Sequence, residues 1–232
     1  MAFLQDNRPH RQPFLNAPPT VLWLIGVLLL AHAVRVLLPG NWPLRIIEDY
    51  AFIPARYAGG PEFAASGTFE RLVPFVSHIF LHADITHVGV NSLWLLAFGP
   101  VVARRLRPLI FLLFFLFCGI AGIVLHLLVY WGSEMAVIGA SGAVAGLMGG
   151  GIRLVYGGPN AYQLAPLLSQ RIVLFSLVWT GVNIVGGVLR LGTTDEITLV
   201  AWVVHLGGYF TGLLTIGLFE RLSLGARRWH SN

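Results

Sequence analysis

A serine and a histidine occur in apolar segments, where a polar side chain is costly to bury and is often functional. Ser141 lies in the sequence GASG over residues 139–142, at the start of a glycine-rich apolar segment, and His205 lies in the last apolar segment. An imidazole within reach of a serine hydroxyl can take its proton and make the oxygen a nucleophile. These two residues are therefore candidates for a catalytic Ser–His dyad, provided that the chain brings their segments together.

Two more polar residues, His87 and Asn91, could stabilise negative charge by donating hydrogen bonds. His87 and Asn91 are four residues apart, so they lie on one face of a helix, and both side chains can donate hydrogen bonds. The backbone N–H of Ser141, at a predicted helix N-terminus, is a third donor. Acyl transfer needs such donors around a developing oxyanion. No acidic residue stands out as an orienter for His205 among the nearest ones, which are Asp84, Asp195 and Glu196.

Packing and metal binding are the competing interpretations. Glycines 142, 146 and 150 recur every four residues, and in a membrane such a face lets another helix approach closely. Zinc needs three or four well-placed ligands. The candidate ligands lie close together in sequence at His78, His82, Asp84 and His87, without an H-E-x-x-H motif. Because His82 and His87 would face different sides of a regular helix, a metal site has weak support, and none is predicted.

The composition indicates which elements must position these residues. The chain has 232 residues, of which 56% are hydrophobic and 11% charged, whereas a soluble domain carries about 25% charged residues. The apolar residues come in long runs rather than in alternation, which favours helices over a barrel. The predicted fold class is all-α, a polytopic membrane helix bundle. The 15 basic residues are all Arg and lie at the ends of apolar runs, which indicates membrane topology rather than nucleic-acid binding.

Six apolar segments are long enough to span a bilayer. The predicted transmembrane helices cover approximately residues 20–38, 72–103, 108–131, 138–156, 171–191 and 197–219. Residues 41–71 form a loop that is too polar to span and too aromatic for a plain linker, so we expect it to lie in the membrane interface. The predicted organisation is a tail over residues 1–18, a six-helix membrane domain over 19–220, and a second tail over 221–232.

The arginines predict the orientation of the bundle. They are concentrated in both tails and in the loops that follow the second and fourth spans, which places both termini in the cytoplasm. Spans two, four and six then enter from the outer side, and their polar residues lie at a similar depth of about 10 Å. Gly208 and Gly212, just after His205, would let span six pack closely on the glycines of span four.

These motifs resemble those of the rhomboid intramembrane serine proteases of the six-span bacterial type. The resemblance rests on His87-x-x-x-Asn91, on the GASG sequence around Ser141, and on His205 followed by Gly208-x-x-x-Gly212. It covers roughly residues 70–220. It implies a rhomboid-like bundle with an interfacial first loop.

The resemblance also implies roles for individual residues. Ser141 and His205 would form the catalytic dyad, and His87 and Asn91 would join the Ser141 amide in an oxyanion hole. His82 matches a structural histidine that organises the first loop. The fifth span would act as a mobile gate for substrates. No cofactor and no metal ion would take part.

The function implied is that of a serine endopeptidase that cleaves transmembrane segments of other membrane proteins through an acyl-enzyme. Its partners would be single-span membrane protein substrates and the lipid bilayer, with no nucleic acid, and its location a bacterial inner membrane. The oligomeric state stays open. One alternative is a catalytically weak or inactive rhomboid-like protein that binds membrane clients. Another is a transporter, for which inverted repeats are expected but not found.

Two positions depart from the family pattern. Val73-Pro74 stands where a Trp-Arg pair is common in the first loop, and Ala145 stands where many members have a Tyr that stacks on the catalytic imidazole. Tyr209 and Trp202 are candidates to replace that tyrosine. The departures leave substrate preference and rate open while keeping both dyad residues.

Overall fold

A computed structural model describes residues 17–60, 66–158, 163–189 and 201–228. Within these ranges the α-helices are α1 (Pro19–Leu37), α2 (Trp42–Tyr50), α3 (Thr68–Leu72), α4 (Pro74–Ser77), α5 (Ile85–Ala103), α6 (Pro108–Val129), α7 (Ser141–Val155), α8 (Gln170–Val188) and α9 (Ala201–Arg228). Short 3₁₀ helices form at Pro54–Tyr57 and His78–Phe80.

The described helices confirm the predicted all-α membrane helix bundle. Four of them are long and apolar enough to cross a membrane, namely α1, α5, α6 and the Trp202–Leu224 part of α9. Helix α7 is apolar but shorter. The chain is therefore a multi-pass membrane protein. Helix α9 continues to Arg228, so the predicted C-terminal tail over residues 221–232 begins as a continuation of the last helix.

Helix α7 forms the centre of the bundle. Nearly every residue from Gly142 to Leu154 is buried, and α5, α6 and α9 pack around the helix. Its glycines and alanines leave room for three neighbours at short interaxial distances. The one partly exposed residue of the first turn is Ser141.

The glycines of α7 and α9 make backbone contacts that admit no side chain. A Cβ atom on Gly208 would overlap the carbonyl oxygen of Gly142, and one on Gly212 would overlap that of Gly146. The predicted close approach of the fourth and sixth spans is thereby confirmed. Gly150 packs instead beside the Phe114 ring, where a Cβ atom would lie 3.0 Å from Cζ.

The second span is shorter than predicted. Residues 72–84 do not extend the helix toward its N-terminus but form α4, a 3₁₀ turn and an extended segment, and α5 begins only at Ile85. Leu81 and Asp84 have extended backbone angles, and the Asp84 carboxylate accepts the His87 N–H at 2.8 Å as the N-cap. An Asp side chain that takes a backbone N–H in this way ends helical propagation toward the N-terminus. The prediction of one helix over 72–103 was therefore wrong at its N-terminal end.

The loop after α1 is folded and is attached to the segment before α7. The backbones of Phe52 and Val137 exchange two hydrogen bonds of 3.1 and 2.8 Å. The Phe52 ring is buried and stacks on Tyr57 at 4.9 Å between centroids. These contacts place a folded first loop against the chain that leads to Ser141. Its position in the membrane interface stays a prediction.

Arg35 lies near the end of α1 and is buried against the segment that precedes α5. It is 6% exposed, and its guanidinium donates to the carbonyl oxygens of His82 at 2.7 Å and Ala83 at 3.1 Å. Buried carbonyl groups without helical partners need such a donor. Helix α1 therefore holds the extended segment that precedes α5.

Helix α8 is the most peripheral of the long helices that surround α7. Its main packing partner is α9, and its other face, with Leu174, Leu177 and Val182, is exposed. The helix runs without a break through Asn183 and the Gly186-Gly187 pair. The loop with Asp195 and Glu196, and the N-terminal residues 1–16, lie outside the described residues.

Candidate active site

Ser141 is the first residue of α7, and the backbone just before it is held in an unusual shape. Gly139 has a φ of 118°, a region that favours glycine. Its N–H donates to the His78 carbonyl at 2.8 Å, and the Ala140 N–H donates to His82 Nε2 at 3.4 Å. Because the helix starts at Ser141, its backbone N–H belongs to the first turn and has no partner within the helix.

His87 and Asn91 meet this glycine turn from α5. A Cβ atom on Gly139 would lie 2.7 Å from His87 Nε2 and 3.8 Å from Asn91 Nδ2. Asn91 Nδ2 donates one hydrogen to the His87 carbonyl at 3.0 Å, which leaves its second hydrogen for another acceptor. The predicted one-sided arrangement of these two residues on their helix is confirmed.

The His87 ring is oriented as a donor toward the glycine turn. Its Nδ1 accepts the Ala83 N–H at 3.4 Å, so a neutral ring carries its proton on Nε2. This is the nitrogen that faces Gly139. Nε2 of His87 and Nδ2 of Asn91 thus both lie beside Gly139, two residues before the start of α7.

His205 has a hydrogen-bond partner that sequence reasoning missed. Its Nδ1 lies 3.0 Å from Oδ1 of Asn183 on α8. The Asn183 amide group donates in turn from Nδ2 to the Trp179 carbonyl at 2.8 Å. A signal was present in the sequence, because Asn183 is a polar residue in the middle of an otherwise apolar span. The candidate orienters named from the sequence were acidic residues, whereas the observed partner is an amide.

One small cavity contains three of the predicted site residues. It measures about 80 Å³, and its polar lining comes from Asn91 of α5, Ser141 of α7 and His205 of α9. Its apolar lining is formed by Trp94, Phe98, Val144, Ala145, Met148 and Trp179. His87 is not among the lining residues and reaches the site through Gly139.

Serine and imidazole share this cavity without a hydrogen bond between them. In the part of the chain that the structure describes, the Ser141 hydroxyl has no hydrogen-bond partner, and His205 bonds to Asn183. Catalytic hydrogen bonds are often long without substrate and shorten in the complex. The position of both residues at one cavity therefore remains compatible with proton transfer between them.

The residues weighed for a metal site have other partners. His78 Nδ1 donates to the Pro74 carbonyl at 2.8 Å, and His82 accepts from Ala140. Asp84 caps α5, and the N–H groups of His87 and Thr86 hold the pKa of its carboxyl below the ordinary value. Within the described ranges, no group of three or more His, Cys, Asp or Glu residues is arranged to hold a metal ion.

The two residues suggested to replace the tyrosine at Ala145 have other partners, although Tyr209 packs in the same apolar cluster as Ala145. The Tyr209 hydroxyl pairs with Ser176 at 2.9 Å. Trp202 packs on α8, where a Cβ atom on Gly187 would overlap its ring. The polar contact to the imidazole comes instead from Asn183.

Comparisons with known proteins identify the family of the chain. A model of the rhomboid domain matches residues 70–221. The chain is 30% identical over 135 residues to RHOMBOID-like protein 4 of Arabidopsis thaliana. These aligned residues make up 58% of this chain and 31% of that protein. It is 28% identical over 222 residues to the mitochondrial Rhomboid protein 1 of Saccharomyces cerevisiae, over 91% of this chain and 57% of that protein. The chain thus spans about a third of the length of the plant protein and somewhat over half of the length of the yeast protein.

The matched range contains all of α5, α6, α7 and α8 together with the part of α9 that carries His205. It covers more than half of the sequence. This chain belongs to the rhomboid family of membrane proteins.

Proposed function

We propose that this protein is an intramembrane serine endopeptidase that cleaves transmembrane segments of other membrane proteins. The observation that carries the proposal is the cavity of about 80 Å³ that Asn91, Ser141 and His205 line from three different helices. A hydroxyl, an imidazole and an amide donor at one cavity are the groups that acyl transfer needs. Membership of the rhomboid family, whose members are generally serine proteases, supports the same reaction.

The proposed reaction uses Ser141 as the nucleophile and His205 as the base. His205 takes the hydroxyl proton while Oγ attacks the scissile carbonyl carbon, and the carbonyl oxygen becomes an oxyanion. The imidazolium then gives its proton to the leaving amine, the C–N bond breaks, and an ester to Ser141 remains. Water, deprotonated by His205, hydrolyses this ester and restores the free serine.

The proposed oxyanion hole consists of the Ser141 N–H, the Nε2–H of His87 and the free amide hydrogen of Asn91. Two observations support it. Both side chains approach Gly139, directly before the first turn of α7. The N-terminus of a helix also favours negative charge because its first N–H groups are unpaired and its dipole is positive there.

The proposed substrates are single-span membrane proteins. A transmembrane helix satisfies its carbonyl groups internally, so a segment must unwind locally before Ser141 can reach a carbonyl carbon. Segments with glycine or another helix-weakening residue should therefore be preferred. We propose that the protein works as a six-helix domain in a bacterial inner membrane with both termini in the cytoplasm, in agreement with the distribution of Arg residues.

A fluorophosphonate probe tests the nucleophile directly. The probe should form a covalent phosphonyl ester on Ser141 of the detergent-solubilised protein, with loss of fluoride, and mass spectrometry should locate it there. Ser141→Ala should remove the label, and Ser176→Ala should keep it, since Ser176 pairs with Tyr209. A folded wild-type protein that stays unlabelled would contradict the acyl-enzyme chemistry and favour an inactive, client-binding member of the family.

Asn91→Ala should lower kcat by about 100-fold or more, with KM changed by less than about twofold, because an oxyanion-hole donor acts mainly in the transition state. Ser92→Ala is the matched control. It removes a buried hydroxyl on the same helix that has no partner among the described residues. Steady-state cleavage of a single-span substrate in liposomes gives both constants. A raised KM with unchanged kcat would argue against an oxyanion role.

A further inference from the structure

We propose that Asn183 is a positioning residue that fixes the tautomer and the direction of the His205 imidazole. The proposal rests on the proposed function, because it concerns how the base is prepared for proton transfer. It adds a third helix, α8, to the serine on α7 and the histidine on α9. Neither the family match nor the sequence motifs assign a role to this residue.

The orientation of the Asn183 amide follows from its two contacts. A carbonyl oxygen can only accept, so the atom that faces the Trp179 oxygen at 2.8 Å must be Nδ2. The atom that faces His205 Nδ1 at 3.0 Å is therefore Oδ1. An amide oxygen also only accepts, so Nδ1 of His205 must carry a hydrogen. The side chain of Asn183 is 8% exposed, which limits competition from water for this bond.

The consequence for His205 is a defined tautomer. A neutral imidazole has one protonated nitrogen and one with a free lone pair. With its proton on Nδ1, His205 presents the lone pair on Nε2, the nitrogen not engaged by Asn183 and free to accept the Ser141 hydroxyl proton. When the ring takes that proton, the bond to Asn183 becomes charge-assisted and stronger. The contact therefore stabilises the transition state more than the resting enzyme.

The Ala145 position explains why the site needs this contact. A stacked tyrosine would restrict the imidazole from one side, and alanine cannot. Tyr209 bonds to Ser176, so among the described residues Asn183 is the side chain that forms a hydrogen bond to His205. Removing it would leave the ring free to rotate or to move its proton to Nε2.

A second polar contact between the same two helices provides a matched control. Ser176 lies seven residues before Asn183 on α8 and pairs with Tyr209, four residues after His205 on α9. Ser176→Ala removes one hydrogen bond between α8 and α9 without touching the imidazole. It therefore separates the positioning of His205 from the docking of α8.

The test compares Asn183→Leu, Asn183→Asp and Ser176→Ala in liposomes with a single-span substrate. Asn183→Leu keeps the number and branching of the side-chain heavy atoms and has no acceptor. It should lower kcat by about 10- to 100-fold with KM within about twofold, as expected for loss of a hydrogen bond to a charged group. Asn183→Asp keeps an oxygen opposite Nδ1, and its protonated carboxyl can donate to the Trp179 carbonyl as the amide does, so it should restore most of the lost kcat. Ser176→Ala should keep the wild-type kcat.

Nitrogen-15 NMR of the imidazole rings gives a second measurement that helix docking alone would not change. Signals of His205 are identified by their loss in His205→Gln. We expect a protonated Nδ1 in the wild-type protein and a mixture of tautomers in Asn183→Leu. Wild-type kcat in Asn183→Leu, an equal loss in Ser176→Ala, or a wild-type ring protonated on Nε2 would each overturn the proposal.

The outcomes also separate this proposal from the proposed function. If the wild-type protein cleaves and Ser141→Ala does not, but Asn183→Leu behaves as wild type, only the role of Asn183 is wrong. If the wild-type protein neither cleaves nor takes the fluorophosphonate label, the proposed function is wrong. If Asn183→Leu fails to fold, the tautomer of His205 in the wild-type protein and the kcat of Asn183→Asp still test the role of Asn183.

Discussion

Ser141→Ala is expected to abolish cleavage of a single-span substrate while leaving the bundle folded. The hydroxyl makes no hydrogen bond within the described part of the chain, so its removal leaves no buried partner unsatisfied. In serine proteases, loss of the nucleophile lowers kcat by about 10⁶-fold. Substrate cleavage in liposomes, followed over hours on gels, should therefore fall below detection at unchanged thermal stability in detergent.

His205→Ala should abolish cleavage to the same extent but should also cost stability. It leaves Oδ1 of Asn183 without its hydrogen-bond donor, and an unsatisfied buried acceptor costs about 1–3 kcal/mol. The double variant should be no less active than either single variant, because the two residues act as one unit. Full activity in Ser141→Ala would refute the assignment of the nucleophile. Ser176→Ala should stay active in the same assay.

Gly212→Ala is expected to have the largest effect on stability. Its Cβ would overlap the carbonyl oxygen of Gly146, so α7 and α9 would have to move apart along their whole contact. Overpacking of a tight interface costs about 1–3 kcal/mol, and contacts with rigid backbone lie at the upper end. Thermal unfolding in detergent should show a lower transition temperature. Activity should fall too, because the same contact sets the distance between His205 and Ser141.

Gly26→Ala is the matched control for that variant. Gly26 also lies in a membrane-spanning helix, and a Cβ atom there would meet nothing within 4 Å. Alanine is a better helix former than glycine by about 1 kcal/mol, so this variant should be as stable as the wild type or more stable. Equal stability of Gly212→Ala and Gly26→Ala would contradict the close contact between α7 and α9.

The sequence predicted the structure best where a residue pattern has a single physical explanation. Glycines at intervals of four in two apolar segments have little reason to occur except close helix packing, and Gly142 and Gly208 meet as expected. His87 and Asn91 lie on one helical face because the α-helix repeat requires it. Membrane insertion follows from composition alone, since long apolar runs without charges cannot fold as a soluble domain of this size.

The sequence predicted the structure less well where contacts between distant segments determine the backbone conformation. The apolar run over residues 72–103 satisfies a helix pattern, but Asp84 captures the His87 N–H and ends the helix at Ile85. Nothing in the run itself shows that Arg35 will supply donors to the carbonyl groups of the extended segment. Hydropathy reports how apolar a segment is, and it does not report which of its backbone groups find partners outside a helix.

The orienter of His205 was missed for a different reason. Asn183 and His205 are 22 residues apart and lie on separate helices, and only the relative rotation of α8 and α9 brings them together. No pattern in the sequence of α8 fixes this rotation. The prediction of a dyad weighed acidic residues as orienters, and it did not consider a neutral acceptor such as Asn183.

The contacts of Arg35 have a consequence for where the functional unit begins. The rhomboid domain match starts at residue 70 and includes each polar residue of the cavity. Yet the segment that leads into α5 is held by a guanidinium from α1, 47 residues earlier than His82. A fragment cut at the homology boundary would contain every polar residue of the cavity and lack the guanidinium that binds the His82 and Ala83 carbonyl oxygens ahead of α5. The segment that the family model matches is therefore shorter than the unit whose contacts build the cavity.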